Sequence, residues 1–126
     1  IAYADTDRMG VVYYANYLTL FERGRTELMR NLGIRYRDLE EQEHVYLPVS
    51  EARVKYLSPA RYDDMIRVVT RVSRLGGASI EFQYEILDVD SGRRVAEGHT
   101  LHPFVNDKWK PVRVPAALRT KLLPAG

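Results

Sequence analysis

From Tyr14 onward the apolar side chains fall at Tyr17, Leu18, Phe21, Leu28, Met29 and Leu32, spacings of three, four and seven that draw one face of a helix. Gly33 ends the pattern. "ERGRTELMR" supplies the polar face, where Glu22 stands three residues before Arg25 and four before Thr26, the spacing of a local ion pair. Such a helix runs about 18 residues, some 27 Å at 1.5 Å per residue, and dominates a small domain. "RYRDLEEQEH", Arg35 to His44, predicts a short second helix or an ordered connection. After His44 the period falls to two. Ser50, Ala52, Val54 and Tyr56 share one side of a strand with Glu51, Arg53 and Lys55 on the other, and Pro59 stops it. A second strand, Ile66 to Leu75, alternates Ile66, Val68, Thr70 and Val72 with Arg67, Val69 and Arg71. "LGGAS" turns it into a third with Ile80, Phe82, Tyr84 and Ile86 on one face, and "DVDSG" is the hairpin turn into a fourth at Arg94 to Val105. "VPAALRTKLL" predicts a closing helix with Pro115 at its start, where the missing N–H costs nothing.

Three consecutive hairpin-like connections predict an antiparallel meander. A meander has one face that needs cover, and only the long helix is large enough to provide it. The expected architecture is α+β, a long central helix wrapped by an antiparallel β-sheet.

Composition narrows this picture without changing it. At 126 residues the chain fits one domain over 1–126, and 45% hydrophobic with 29% charged residues is too apolar for disorder. Nineteen basic against 17 acidic residues leave a formal charge of +2, with the two signs interspersed, so no nucleic-acid surface is expected. The absence of cysteine excludes disulfides, a thiol nucleophile and thiolate metal sites. No apolar stretch approaches the roughly 20 residues of a membrane span, and nothing resembles a signal peptide, so stable membrane insertion is not expected and the protein is read as cytoplasmic. The start at Ile1 leaves a first strand of only about four residues before Asp5, as though residues upstream were missing.

Several chemistries have no carrier here. There is no G-x-S-x-G elbow, P-loop, dinucleotide fingerprint or H-E-x-x-H. His99 and His102, three apart on a strand, point to opposite faces and cannot share a metal, so none is expected. "DVDSG" lacks the length and the later glutamate of a calcium loop, and Asp63 and Asp64 read as turn or strand-entry residues. What remains is "YADTDRMGVVYYANY", with Asp5 and Asp7 ahead of the best helix. Capping explains acids before a helix, but Asp7 precedes Tyr14 by seven residues, too far for a direct cap. The arrangement suits acyl transfer. A carboxylate near a helix N-terminus acts as nucleophile or general base, free N–H groups stabilise the oxyanion, and Gly10 lets the backbone come close to a substrate. Tyr13, Tyr14 and Tyr17 divide between core packing and lining an acyl pocket.

The stretch "YADTDRMGVVYYANYLTLFERGRTELMR", with its D-x-D-x-x-G-x-V-x-x-x-N-Y pattern, resembles the opening of hotdog-fold acyl-CoA thioesterases of the 4-hydroxybenzoyl-CoA thioesterase type, particularly the bacterial branch described with the Tol-Pal system. "YLSPARYDDMIRVVTRVSRLGGASIEFQYEI" and "AEGHTLHPFVN" continue the likeness over nearly the whole chain. The resemblance implies a hotdog fold, hydrolysis of an acyl-CoA thioester to free acid and coenzyme A, no cofactor, and a homodimer or homotetramer with each site between two protomers. It puts the catalytic acid on Asp7 and the oxyanion-binding N–H on Tyr14, with Gly10 shaping the loop between them. Asp5 matches a position that is often acidic without being the main catalyst. Some relatives carry histidine where this chain has Tyr14, "VYHASY" against "VYYANY", and a tyrosine cannot shuttle a proton at neutral pH as histidine can. Asp7 then carries more of the chemistry, as nucleophile or as the base that activates water. Arg53, Lys55, Arg61, Arg74 and Lys108 are candidates for the phosphates of coenzyme A, against the alternative of a solvated sheet face. Two other readings fit the same fold: a non-catalytic acyl-binding or assembly module, and a thioesterase acting on acyl carrier protein.

Overall fold

The computed structural model describes residues 16–58 and 64–122. Helix α1 spans Asn16–Asn31, and its buried stripe is Tyr17, Leu20, Phe21 and Met29, with Leu28 and Leu32 partly covered. Leu18, expected on this stripe, faces outward at 44% exposure, and Leu20 takes its place because it lies three residues after Tyr17 on the same face. Gly33 adopts φ +78°, and the end is closed by Gly33 N–H donating to Arg30 O at 2.9 Å and Ile34 N–H to Met29 O at 2.8 Å. That is a Schellman stop, which needs a residue tolerant of the left-handed region at this position. The connection after it is a helical turn, α2 (Tyr36–Asp38), that widens into a π turn over Leu39–Glu43 before His44. The expected Glu22–Arg25 pairing gives way to another role for Arg25, whose guanidinium lies beside the phenols of Tyr36 and Tyr84.

Among the described residues four strands follow: β1 (Glu51–Tyr56), β2 (Ile66–Leu75), β3 (Ser79–Asp88) and β4 (Arg94–Pro103). All pairings are antiparallel, in the order β1-β4-β3-β2. The sequence reading of three hairpins is therefore right for β2-β3-β4 and wrong for β1, which sits at the opposite edge of the described sheet from β2 and pairs with β4. Period-two patterning fixes which side chains face the core but not which neighbour a strand chooses. β4 keeps a free side after its hairpin with β3, and β1 fills it.

The core lies between α1 and the sheet. Ile80, Phe82, Tyr84 and Ile86 of β3 and Ala96, Thr100 and His102 of β4 are all buried, as alternation predicts. A bulge at Val95 puts that residue inside as well. In "DVDSG" the Asp88 carboxylate accepts from Asp90 N–H at 3.0 Å and Ser91 N–H at 3.4 Å, which makes the segment a turn. Helix α3 (Ala116–Leu122) buries Leu118 and Leu122 four residues apart, and its Arg119 donates to Gly76 O at 2.7 Å, tying it to the β2–β3 turn.

Helix α1 crosses the strands obliquely. Tyr17 meets Tyr56 of β1, Phe21 lies over Gly98 of β4 and Tyr84 of β3, and Gly24 presses on β2. A Cβ on Gly24 would stand 2.4 Å from Thr70 Oγ1 and 2.9 Å from Val68 Cγ1, so glycine is what permits this approach.

Candidate functional site

The crossing brings the start of α1 to the β1 edge. No acidic residue occupies the first helical turn, so no side-chain charge there offsets the positive end of the helix. Tyr17 is buried and meets Tyr56 edge-on, with centroids 5.2 Å apart and planes at 63°. Leu18, Tyr56 and Leu57 are each 40–50% exposed, giving an open apolar rim beside the helix start. Of the residues singled out from sequence, Tyr17 is brought to this place. Asp5, Asp7, Gly10, Tyr13 and Tyr14 lie outside the described residues, as do Arg61 and Asp63.

The candidate phosphate contacts separate. Arg53 and Lys55 line a basin of about 730 Å³ on the sheet face turned away from α1, together with Arg71, Gln83, Glu85, Glu97 and His99. Arg74 sits on β2 in register with Glu81, and Lys108 belongs to the distant turn in which Asn106 Oδ1 accepts from Lys108 N–H at 2.9 Å. The basin is not a uniform anion cradle. Glu85 and Glu97 oppose each other in register, and Arg94 bridges them at 3.2 Å and 3.6 Å.

The two strand histidines do point apart. His99 Nε2 lies 3.3 Å from Glu51 Oε2 on the outer face. His102 is 1% exposed inside the core, with Nδ1 3.1 Å from Leu47 O and Nε2 2.8 Å from Thr100 Oγ1, and Tyr84 Oη lies 2.6 Å from that same Oγ1. Because a carbonyl only accepts, Nδ1 carries the proton, Nε2 accepts from the Thr100 hydroxyl, and Thr100 accepts from Tyr84. Burial pushes the imidazole down to about 4, which keeps it neutral. Burial likewise pushes the Tyr84 phenol up, opposed by its bond to Thr100 and by Arg25 beside it. Tyr36, also beside Arg25, is pushed up to about 12, chiefly by burial. This internal polar chain was not read from sequence. Its one visible signal is polar Thr100 and His102 standing where β4 alternation calls for apolar residues.

Among the described residues no helix is long and apolar enough to cross a membrane. The thioesterase-like superfamily profile matches residues 1–122. The acyl-CoA thioesterase YbgC of Haemophilus influenzae is 39% identical over 87 residues, 69% of this chain, and the match spans 64% of that protein's length. The 1,4-dihydroxy-2-naphthoyl-CoA hydrolase of Thermosynechococcus vestitus is 30% identical over 102 residues, 81% of this chain and 69% of the relative. Among solved structures, the DHNA-CoA thioesterase from Staphylococcus aureus superposes with a TM-score of 0.83 at 32% identity, covering 90% of this chain and 75% of that one. An antiparallel sheet crossed by one long helix, Asp and Gly spaced as in "DTDRMG" ahead of it in sequence, and a profile match over residues 1–122 agree: the chain belongs to the thioesterase-like superfamily and has its hotdog fold.

Proposed function

We propose that this chain hydrolyses acyl-CoA thioesters to a free carboxylic acid and coenzyme A. The observation that carries the reading is the start of α1, a helix end with no acid in its first turn that opens on an apolar, aromatic edge in a chain of this superfamily. Asp7 is the acid. As a nucleophile it attacks the thioester carbonyl, expels the coenzyme A thiolate and leaves an anhydride that water cleaves; as a base it takes a proton from the water that attacks directly. Tyr14 N–H and the helix end receive the oxyanion, whose charge grows only as the carbonyl is attacked. Gly10 admits the substrate, and Tyr13 and Tyr17 border the acyl group. The pool of such thioesters puts the enzyme in the cytoplasm.

The protein acts as a homodimer or a homotetramer of such dimers. Strand β1 is an edge strand of the described sheet, and Leu18, Tyr56 and Leu57 beside it are apolar and exposed, a surface that a second copy would cover. Sedimentation at micromolar concentration should show a multiple of 14.6 kDa, and a species of that mass alone would end the idea. The activity is tested with a panel of short, long and aromatic acyl-CoAs. Asp7→Asn keeps the shape and removes the anion, so turnover should fall by at least about a thousandfold with the fold intact. Retention of even a tenth of wild-type kcat would remove Asp7 from the mechanism, and a larger loss in Asp5→Asn would transfer the role.

A further inference from the structure

The segment "NDKWK", Asn106 to Lys110, closes a small loop whose two legs are tied down. At its base Tyr46 and Val105 exchange backbone hydrogen bonds at 2.9 Å and 3.0 Å, and Val112 N–H donates to Phe104 O at 2.8 Å. Within the turn, Asn106 Oδ1 accepts from Lys108 N–H at 2.9 Å and from Lys110 N–H at 3.1 Å, and Trp109 N–H donates to Asn106 O at 2.9 Å. The tip is therefore fixed. On it stands Trp109 with φ +60°, in the left-handed region. Glycine or asparagine takes that backbone at little cost, whereas a bulky side chain is strained there. Burial does not offset the strain. At 67% exposure Trp109 is the most open large apolar side chain among the described residues, and it meets Tyr46 only loosely, with centroids 6.5 Å apart. Stability of the fold does not call for an indole here.

Lys108 and Lys110 flank the ring, both are exposed, and neither is paired with a carboxylate among the described residues. Arg113 adds a third exposed cation just beyond. The acids of this corner, Asp107 and Glu40, both act on Tyr46, and the Asp107 carboxylate also lies 3.4 Å from His44 Nδ1. We infer that the Asn106–Lys110 turn is a docking tip for an anionic lipid bilayer, with Trp109 entering the headgroup layer and Lys108 and Lys110 meeting acidic lipids on either side. A stable protein interface buries about 800 Å² per partner around an apolar centre. The ring's exposed neighbours in sequence are charged residues and Pro111, which supply no such centre. A bilayer surface asks for no matching shape: an indole seats its apolar body among the upper acyl carbons with its N–H among the headgroups, and lysine stems run alongside it. This is reversible contact by a turn and needs no membrane-spanning helix.

Trp109 is the only tryptophan of the chain, so its emission reports the contact directly. The full protein is titrated with vesicles of phosphatidylcholine alone and of phosphatidylcholine mixed with phosphatidylglycerol. The mixed vesicles should shift the emission to the blue and shield it from acrylamide, and added salt should reverse both effects. Co-sedimentation should show binding to mixed vesicles about thirtyfold tighter than to neutral ones, and the double change Lys108→Gln, Lys110→Gln should remove most of that preference. Trp109→Gly, read by co-sedimentation, should bind at least about tenfold more weakly while melting within about 5 °C of wild type, because glycine suits this backbone. Emission unmoved by mixed vesicles would overturn the inference, as would equal binding to neutral ones. A larger fall in the melting temperature of Trp109→Gly would make Trp109 a packing residue and overturn it too. None of these readouts depends on hydrolysis.

Discussion

The two faces of the sheet spend polar residues in opposite ways. On the outer face, Arg94 bridges two glutamates and His99 meets Glu51, with the partners well exposed: the Arg94 side chain is at 59% and that of Glu51 at 62%. On the inner face, Tyr84, Thr100 and His102 form one directed chain out of reach of water. Three residues separate His99 from His102, yet one meets a carboxylate on the outer face and the other is a neutral core residue. The difference follows from the pleat, which alternates the two environments along a single strand. Outside, water and salt replace any contact that is lost. Inside, nothing replaces it, and a removed partner leaves a buried polar atom unsatisfied.

The comparison breaks most sharply at Gly98. Gly98→Ala would force a methyl into Arg53 O and the Phe21 ring and should cost more than about 3 kcal/mol in urea denaturation, an overpacking penalty at the high end because one obstacle is backbone. A cost below about 1 kcal/mol would mean that the strands separate there easily.

The next effect is that of pH. His102 titrates near its ordinary value in the unfolded chain and at about 4 in the fold, so the unfolded state holds more protons in between. Its contribution is complete above about 6.5 and is lost as pH falls through that window towards 4, on the order of 3 kcal/mol in all. Melts between those limits should show stability rising with pH, with a shallower slope in His102→Gln. An unchanged slope would mean that His102 does not stay neutral.

Thr100→Val keeps the volume but strands the Tyr84 hydroxyl and His102 Nε2, which should cost about 2 kcal/mol. A neutral outcome would show that the two groups find other partners. On the outer face Arg94→Ala should cost less than about 1 kcal/mol and nothing measurable in high salt, although it leaves Glu85 and Glu97 facing each other. A cost matching that of Thr100→Val would erase the contrast between the faces.

What sequence made legible was local. Strand β2 spans Ile66–Leu75, as its alternation predicted, and Gly33 ends α1 where the periodic residues run out. These are decided by neighbours a few residues away. The pairing of β1 with β4 was hidden because it joins residues forty to fifty positions apart, and alternation in Ala52, Val54 and Tyr56 reads alike beside any strand. Leu18 and Leu20 both fit an apolar stripe of some width, and only the tilt of α1 on the sheet chooses between them. The candidate site was legible mainly through the family's motif. Tyr17 lies at the helix start, while the roles of Asp7, Gly10, Tyr13 and Tyr14 rest on that motif and on the proposed reaction. The stacking of Phe21 on Tyr84 over Gly98 escaped notice because the three residues come from three segments, and a glycine in a strand announces only that something approaches closely.

The contact of Gly24 with Thr70 bears on how such a fold diversifies. The far half of α1 is seated by a backbone approach that tolerates no added methyl without displacing its neighbours, and by the Schellman stop at Gly33. The near half rests on rings, which substitution can resize. A lineage can therefore exchange residues at the front of the helix while the rear keeps its seat, so changes can accumulate there without losing the fold.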